Sequence, residues 1–175
     1  MRVALLLTAC TYLAEAFYPG NILALRVVPG TGIDSYPDDA APVFIDEISL
    51  NGSLAQLPVP IPQNGSNACT LAGNATSEGQ LSMSPNGANV ALACYMAPVG
   101  TPGVVGLAVS RGAVVLNANG LLNPTLSMSN AYTDPPRHVH SAVVADSAIN
   151  LYIGGEGDNV REGVGLFSRR SGMRL

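Results

Sequence analysis

Lysine and tryptophan are absent from this chain of 175 residues, charged residues make up only 11% and aromatic residues only 5%. Each shortage excludes something. Disordered chains are poor in apolar residues and rich in charge, so a chain that is 47% hydrophobic with so few charges is a folding one. All eight basic residues are Arg, the formal net charge is −4, and several of the arginines crowd the C-terminal end. The acidic body that remains argues against nucleic acid, whose affinity rests on clustered Lys and Arg. Long apolar runs are missing too. The longest candidate, Val3 to Leu13, is too short for a helix to cross a ~30 Å hydrocarbon core, so no transmembrane span is expected. There is no Walker loop, no dinucleotide fingerprint after a strand, no Cys-x-x-Cys pair and no base-stacking aromatic stripe, and no cofactor is expected.

What is present is turn chemistry. Nineteen Gly and thirteen Pro are spread among short Val, Ile, Leu and Ala runs, which favours many short strands over helices and predicts an all-β chain. Strands are expected at 21–28, 43–50, 54–61, 69–72, 80–84, 89–95, 104–110, 113–117, 140–145 and 150–153. Asn51-Gly52, Asn86-Gly87 and Asn119-Gly120 supply the positive φ of two-residue hairpin loops. Pro58-Val59-Pro60-Ile61-Pro62 lacks most ladder donors and belongs on an edge or in an extended connector.

The N-terminus reads as an export signal. Arg2, the apolar run and Ala14-Glu15-Ala16 fit a signal peptide over 1–16 with a mature start near Phe17. Leu7-Thr8-Ala9-Cys10 offers a rival reading, a bacterial lipobox that would anchor the chain by a lipid on Cys10. Removing the leader leaves Cys69 and Cys94, an even pair suited to a disulfide in a secreted protein. Asn51, Asn64 and Asn74 each open a glycosylation triplet, and each triplet also reads as a plain turn. Three regions result: the leader, a repeat region over 17–160, and a basic tail over 161–175 read as disordered.

A diffuse internal repeat organises the middle region. The stretch from Val43 to Leu54 resembles that from Gly112 to Leu122 in strand, Asn-Gly turn and following Leu. Downstream of each, Leu81 to Leu92 aligns with Ala142 to Ile153, both being strand, polar turn, Asn and a second strand. Such units look like β-propeller blades, which cannot bury both faces alone and stack on their neighbours. The expectation is about two four-stranded blades of an incomplete propeller, and a β-sandwich is the alternative.

Asn21-Ile22-Leu23-Ala24-Leu25-Arg26-Val27, then Ala41-Pro42-Val43-Phe44-Ile45-Asp46-Glu47, then Thr76-Ser77-Glu78-Gly79-Gln80-Leu81, resemble the opening of a family of exported bacterial and algal propeller-like proteins. The resemblance covers about residues 20 to 158 and implies a fold and export, with no established activity and no catalytic set to transfer. Members of that family are longer, so further blades missing from this chain are part of the expectation.

Few groups suggest chemistry. His138-Val139-His140 places two imidazoles on one side of a strand, a pair able to share a metal, with Asp134, Asp146 or Glu156 as candidate third ligands. Asp38-Asp39 and Asp46-Glu47 are candidate carboxylate clusters, but Asp46 and Glu47 must face opposite ways on a strand and are expected on a solvated face. Ala108-Val109-Ser110-Arg111-Gly112 is one Gly short of a nucleophile elbow and no helix follows it. Gly154-Gly155-Glu156-Gly157-Asp158-Asn159 is a single copy of a calcium-repeat pattern that needs several. The reading is an exported, non-enzymatic module that binds a protein or polysaccharide at the cell surface. Its alternative is part of a secreted hydrolase or metal-dependent enzyme with its site at the propeller mouth.

Overall fold

The computed structural model describes residues 17–28, 38–123, 126–128, 138–144, 150–155 and 165–168. Among these there is no α-helix, only strands and two single 3-10 turns, at Gly65–Asn67 and Val104–Gly106. The strands are β1 (Ile22–Val27), β2 (Ala40–Ala41), β3 (Val43–Ile48), β4 (Val59–Pro60), β5 (Leu71–Ala72), β6 (Ser82–Met83), β7 (Asn89–Tyr95), β8 (Arg111–Asn117), β9 (Leu126–Met128), β10 (Val139–Val144), β11 (Asn150–Gly155) and β12 (Gly165–Ser168). They form four antiparallel sheets, none closed: β1-β3-β4, the meander β6-β7-β8-β9, the sheet β10-β11-β12, and a β2-β5 ribbon. The expected signal peptide and Cys10 lie outside the described residues.

The β6-β9 meander is central because its two long strands are apolar on both faces. Buried strands read as continuous hydrophobic runs where half-exposed ones alternate, and β7 and β8 are buried almost throughout. On one face Leu92, Cys94, Val114 and Leu116 pack with Val43, Ile45, Leu71, Leu23 and Leu25 of the first sheet and its neighbours. On the other face Ala91, Ala93, Tyr95, Ala113 and Val115 pack with Val139, Ala142, Val144, Leu151 and Ile153 of the third sheet. The result is a three-layer stack with two cores. Cys69 and Cys94 lie at disulfide distance, Sγ to Sγ 2.05 Å and Cα to Cα 5.2 Å, inside the first core.

The repeat holds down to strand register. Ser82 pairs Ala91 and Met83 pairs Val90 in the central sheet, and the aligned residues Val143 and Tyr152, Val144 and Leu151, pair in the third. Likewise the bridge Ile48 to Leu54 after β3 matches the bridge Leu116 to Leu122 after β8. The central meander has all four strands of the unit. The third sheet carries equivalents of its first three strands and the first sheet equivalents of its last three, in place of the two full units expected.

The differences from expectation have physical causes. At 104–110 there is no strand: Gly103 is left-handed (φ 59°), a 3-10 turn follows, and the Arg111 guanidinium takes the carbonyls of Val105, Leu107 and Val109. Acceptors bound by a side chain are not available to a ladder. The Pro-rich segment contributes only Val59–Pro60, an edge strand on β3, as its lack of donors requires. Beyond residue 161, where no strand is expected, Gly165–Ser168 pairs with β11; the run Val164-Gly165-Leu166-Phe167 is apolar enough for a strand despite its Arg neighbours. The short strands β2 and β9 are also additions. All three Asn-Gly turns close wider loops than expected: Ser49 pairs Ser53 and Asn117 pairs Leu121, with Gly52 and Gly120 left-handed after a type I turn, and Ser84 pairs Asn89 around the four residues 85–88.

Candidate functional site

A cleft of about 280 Å³ opens between the first sheet and the central sheet at one end of the stack. Phe17, Tyr18 and Asn21 form one wall, and Asn89, Leu116 and Asn117 with the turn at 87–88 form the other. Among the described residues no Asp, Glu, Arg or His lines it. The Phe17–Asn21 wall is held from behind by Glu47, a fully buried carboxylate on β3. Its Oε1 accepts from the Tyr18 backbone N–H (2.7 Å) and from Asn21 Nδ2 (2.8 Å), and its Oε2 accepts from Gln56 Nε2 (2.5 Å). The Phe17 N–H donates to the Ala118 carbonyl at 3.0 Å, closing the base of the cleft. On the far wall Asn117 Oδ1 accepts the N–H groups of Asn119 (2.9 Å) and Leu121 (3.0 Å). Tyr18 is 56% exposed, an aromatic at the rim. A mostly apolar concavity whose described lining carries a few amides and one tyrosine hydroxyl can hold an uncharged ligand.

A second polar cluster lies between the central and third sheets. Glu78, whose side chain is 1% exposed, accepts from the Tyr95 hydroxyl and the Ala72 N–H (3.2 Å), and its Oε1 is 3.1 Å from His138 Nδ1. Burial, then the Glu78 carboxylate, push the Tyr95 hydroxyl far above the usual tyrosine range. Arg111, directly across the ladder from Tyr95, is fully buried with its guanidinium 4.7 Å from the Tyr95 ring centre. Each oxygen of Glu78 is engaged. The cluster ties the 72–78 segment and the start of β10 to β7, and Gly79 makes that route possible. It has φ +80°, and a Cβ there would lie 2.6 Å from Leu25 Cδ2 and 3.1 Å from Leu71 Cδ1.

The expected residues fall as follows. The His138 and His140 rings stack with centroids 6.1 Å apart, but they turn to different acceptors, His138 to Glu78 and His140 Nδ1 to the Ser77 carbonyl (3.1 Å). Among the described residues no group of three His, Cys, Asp or Glu could hold a metal ion; Asp134, Asp146 and Glu156 lie outside them. Asp46 and Glu47 do face opposite ways, and both are buried, Glu47 (1% exposed) on the inner face of the first sheet and Asp46 (8%) within its outer face. Asp46 pairs with Arg26 (2.7 and 3.0 Å), whose guanidinium lies 4.8 Å from the Phe44 ring centre and is held more firmly protonated by the bond. Asp39 Oδ1 accepts the Gly103 N–H (3.1 Å), and the Asp38 carbonyl accepts the Val104 N–H (2.9 Å), so both hold the 3-10 turn. Asn51, Asn64 and Asn74 are exposed. Sequence reasoning did not single out Glu78, Tyr95 or the Tyr18–Asn21 wall. The available signal was a lone Glu before a Gly in a chain nearly without charge.

No family model, no curated protein and no solved structure matches this chain.

Proposed function

We propose that the chain is an exported, non-enzymatic, β-propeller-like module that binds a partner at the cell surface, with the cleft between its first two sheets as the contact. The observation that carries this reading is that the described lining of the cleft holds no Asp, Glu, His, Cys or Arg, with Tyr18 at the rim as its single titratable side chain. General acid–base and nucleophilic catalysis rest on a reactive group paired with an activating partner, and that lining pairs none with Tyr18. The buried Glu78 does not supply one, because its oxygens are already bound inside the other core. Supporting the propeller-like arrangement are the matched registers of the sheets and their stacking face on face. The Cys69–Cys94 pair supports export, since disulfides persist in oxidising compartments.

Of a protein and a glycan, the cleft favours the glycan. The exposed Tyr18 at the rim suits the apolar face of a sugar ring, and the amides of Asn21 and Asn117 in the lining suit its hydroxyls. The test is retention of the purified chain on immobilised neutral polysaccharides, with reducing ends assayed in parallel. Retention without release, weakened at least tenfold by Tyr18→Ala, is the expected outcome. Release of reducing ends, or retention indifferent to Tyr18→Ala, would refute it.

A further inference from the structure

The stack has a direction. The first sheet buries the face carrying Val43 and Ile45 on the central sheet, which buries the equivalent face, Ala113 and Val115, on the third. Calling that face the front, each junction sets a front on the next sheet's back, so the same kind of contact is made twice within one chain. Among the described residues one front and one back are left over. The leftover front belongs to the third sheet, where the cross-strand pair Val143 and Tyr152 is 48% and 39% exposed. The equivalent pair in the central sheet, Ser82 and Ala91, faces the third sheet; the Ser82 hydroxyl donates to the Ala142 carbonyl. The leftover back belongs to the first sheet, where Ile22 is 57% exposed beside its partner Ile48 and near Phe44. Its charges, Arg26 and Asp46, neutralise each other in a two-bond pair.

We infer that the occupant of the exposed front is a second copy of this chain, seated by the back of its first sheet. The two open faces occupy the places of the two halves of a junction that the chain already makes twice; each exposes apolar side chains, and the charges of the back cancel in the Arg26–Asp46 pair, so continuity with that junction specifies the partner. Different patches meet in such a contact, which makes it heterologous and able to grow into a closed ring or a filament. The cleft lies at the junction of the first and central sheets, and Ile22, between its lining residues Asn21 and Leu23, is on the opposite face of β1 from Leu23, so this inference can fail while the glycan reading survives, and the reverse.

The experiment is light scattering on the full chain and two variants at exposed positions, Val143→Asp on the front and Ile22→Asp on the back. The unmodified chain is expected at twice the monomer mass or more, each variant alone at the monomer mass. Mixed in equal amounts, the variants are expected to form a 1:1 complex that grows no further, because the mixture retains one intact front and one intact back. Circular dichroism and a melt check that each variant folds, and Tyr152→Asp replaces Val143→Asp if that one does not. A monomeric unmodified chain at high micromolar concentration would overturn the inference. So would a variant that keeps the unmodified mass alone, or a mixture that fails to associate.

Discussion

Breaking the Cys69–Cys94 link should lower stability by an amount set by chain length. The two residues are 25 apart in sequence, and loop closure of that length removes enough unfolded-chain entropy to stabilise by about 3.5 kcal/mol. Both sulfurs are buried between Leu71, Leu92, Val114 and their neighbours, so no solvation of the thiols offsets the loss in the folded state. For a chain of this size each kcal/mol moves the melting midpoint by roughly 2–4 °C, giving a fall of about 7–14 °C on reduction. The assay is calorimetry at neutral pH of the oxidised chain, the reduced chain and the Cys69→Ala, Cys94→Ala and double variants. The two single variants and the double should nearly coincide, since either removes the whole cross-link; the double should lose only about 1 kcal/mol beyond reduction for the missing sulfurs. Two reactive thiols in the denatured but unreduced chain would refute the premise. A reduced midpoint within about 2 °C of the oxidised one would refute the entropy argument.

Arg111→Met keeps an unbranched side chain of similar reach but removes the guanidinium and releases the carbonyls of Val105, Leu107 and Val109, and a cost of about 2–4 kcal/mol is expected. Hydrogen exchange should rise across 104–110 first, and unchanged protection there would show that the guanidinium does not hold that loop. The Tyr95 hydroxyl is raised in the folded chain, so its stabilising contribution is complete below the unfolded tyrosine value of about 10 and declines as pH climbs past that toward the folded value. Melting temperature should therefore drop more steeply between about pH 9 and 11 in the unmodified chain than in Tyr95→Phe; parallel curves would count against the Tyr95–Glu78 bond.

Much of the architecture was legible because it rests on apolar periodicity. β7 was readable to its ends since every residue from Asn89 to Tyr95 is strand-compatible and bounded by turn residues, and β1, β3 and β11 were readable to within a few positions. The repeat was visible for the same reason: equivalent strands bury equivalent faces and must keep their polar turns in step. The 104–110 segment misled because it reads as a strand locally, whereas its backbone is fixed by a side chain from outside the window. The cleft escaped detection altogether, as its walls come from 17–21, 83–90 and 116–118, joined only by folding.

The misplaced charges share one cause. Charged residues are usually exposed, which put Asp46 and Glu47 on a solvated face and gave Glu78 and Arg111 no expected place in the interior. That rule presumes enough charge to cover a surface, and here it is scarce. Both glutamates among the described residues are buried, and each is a fastener between segments distant in sequence: Glu47 joins β3 to 18–21 and to Gln56, Glu78 joins 78 to Ala72, Tyr95 and His138. Short strands with Gly- and Pro-rich connections leave many backbone donors and acceptors outside any ladder, and a buried unsatisfied one costs about 1–3 kcal/mol. A carboxylate can accept several donors at once and a guanidinium can serve several carbonyls, so a few buried ions can satisfy many irregular segments. In a chain this poor in charge, an ionic residue within an apolar run, as in Phe44-Ile45-Asp46-Glu47-Ile48 or Arg111-Gly112-Ala113-Val114, is therefore better read as an internal fastener than as a surface residue or a catalytic group.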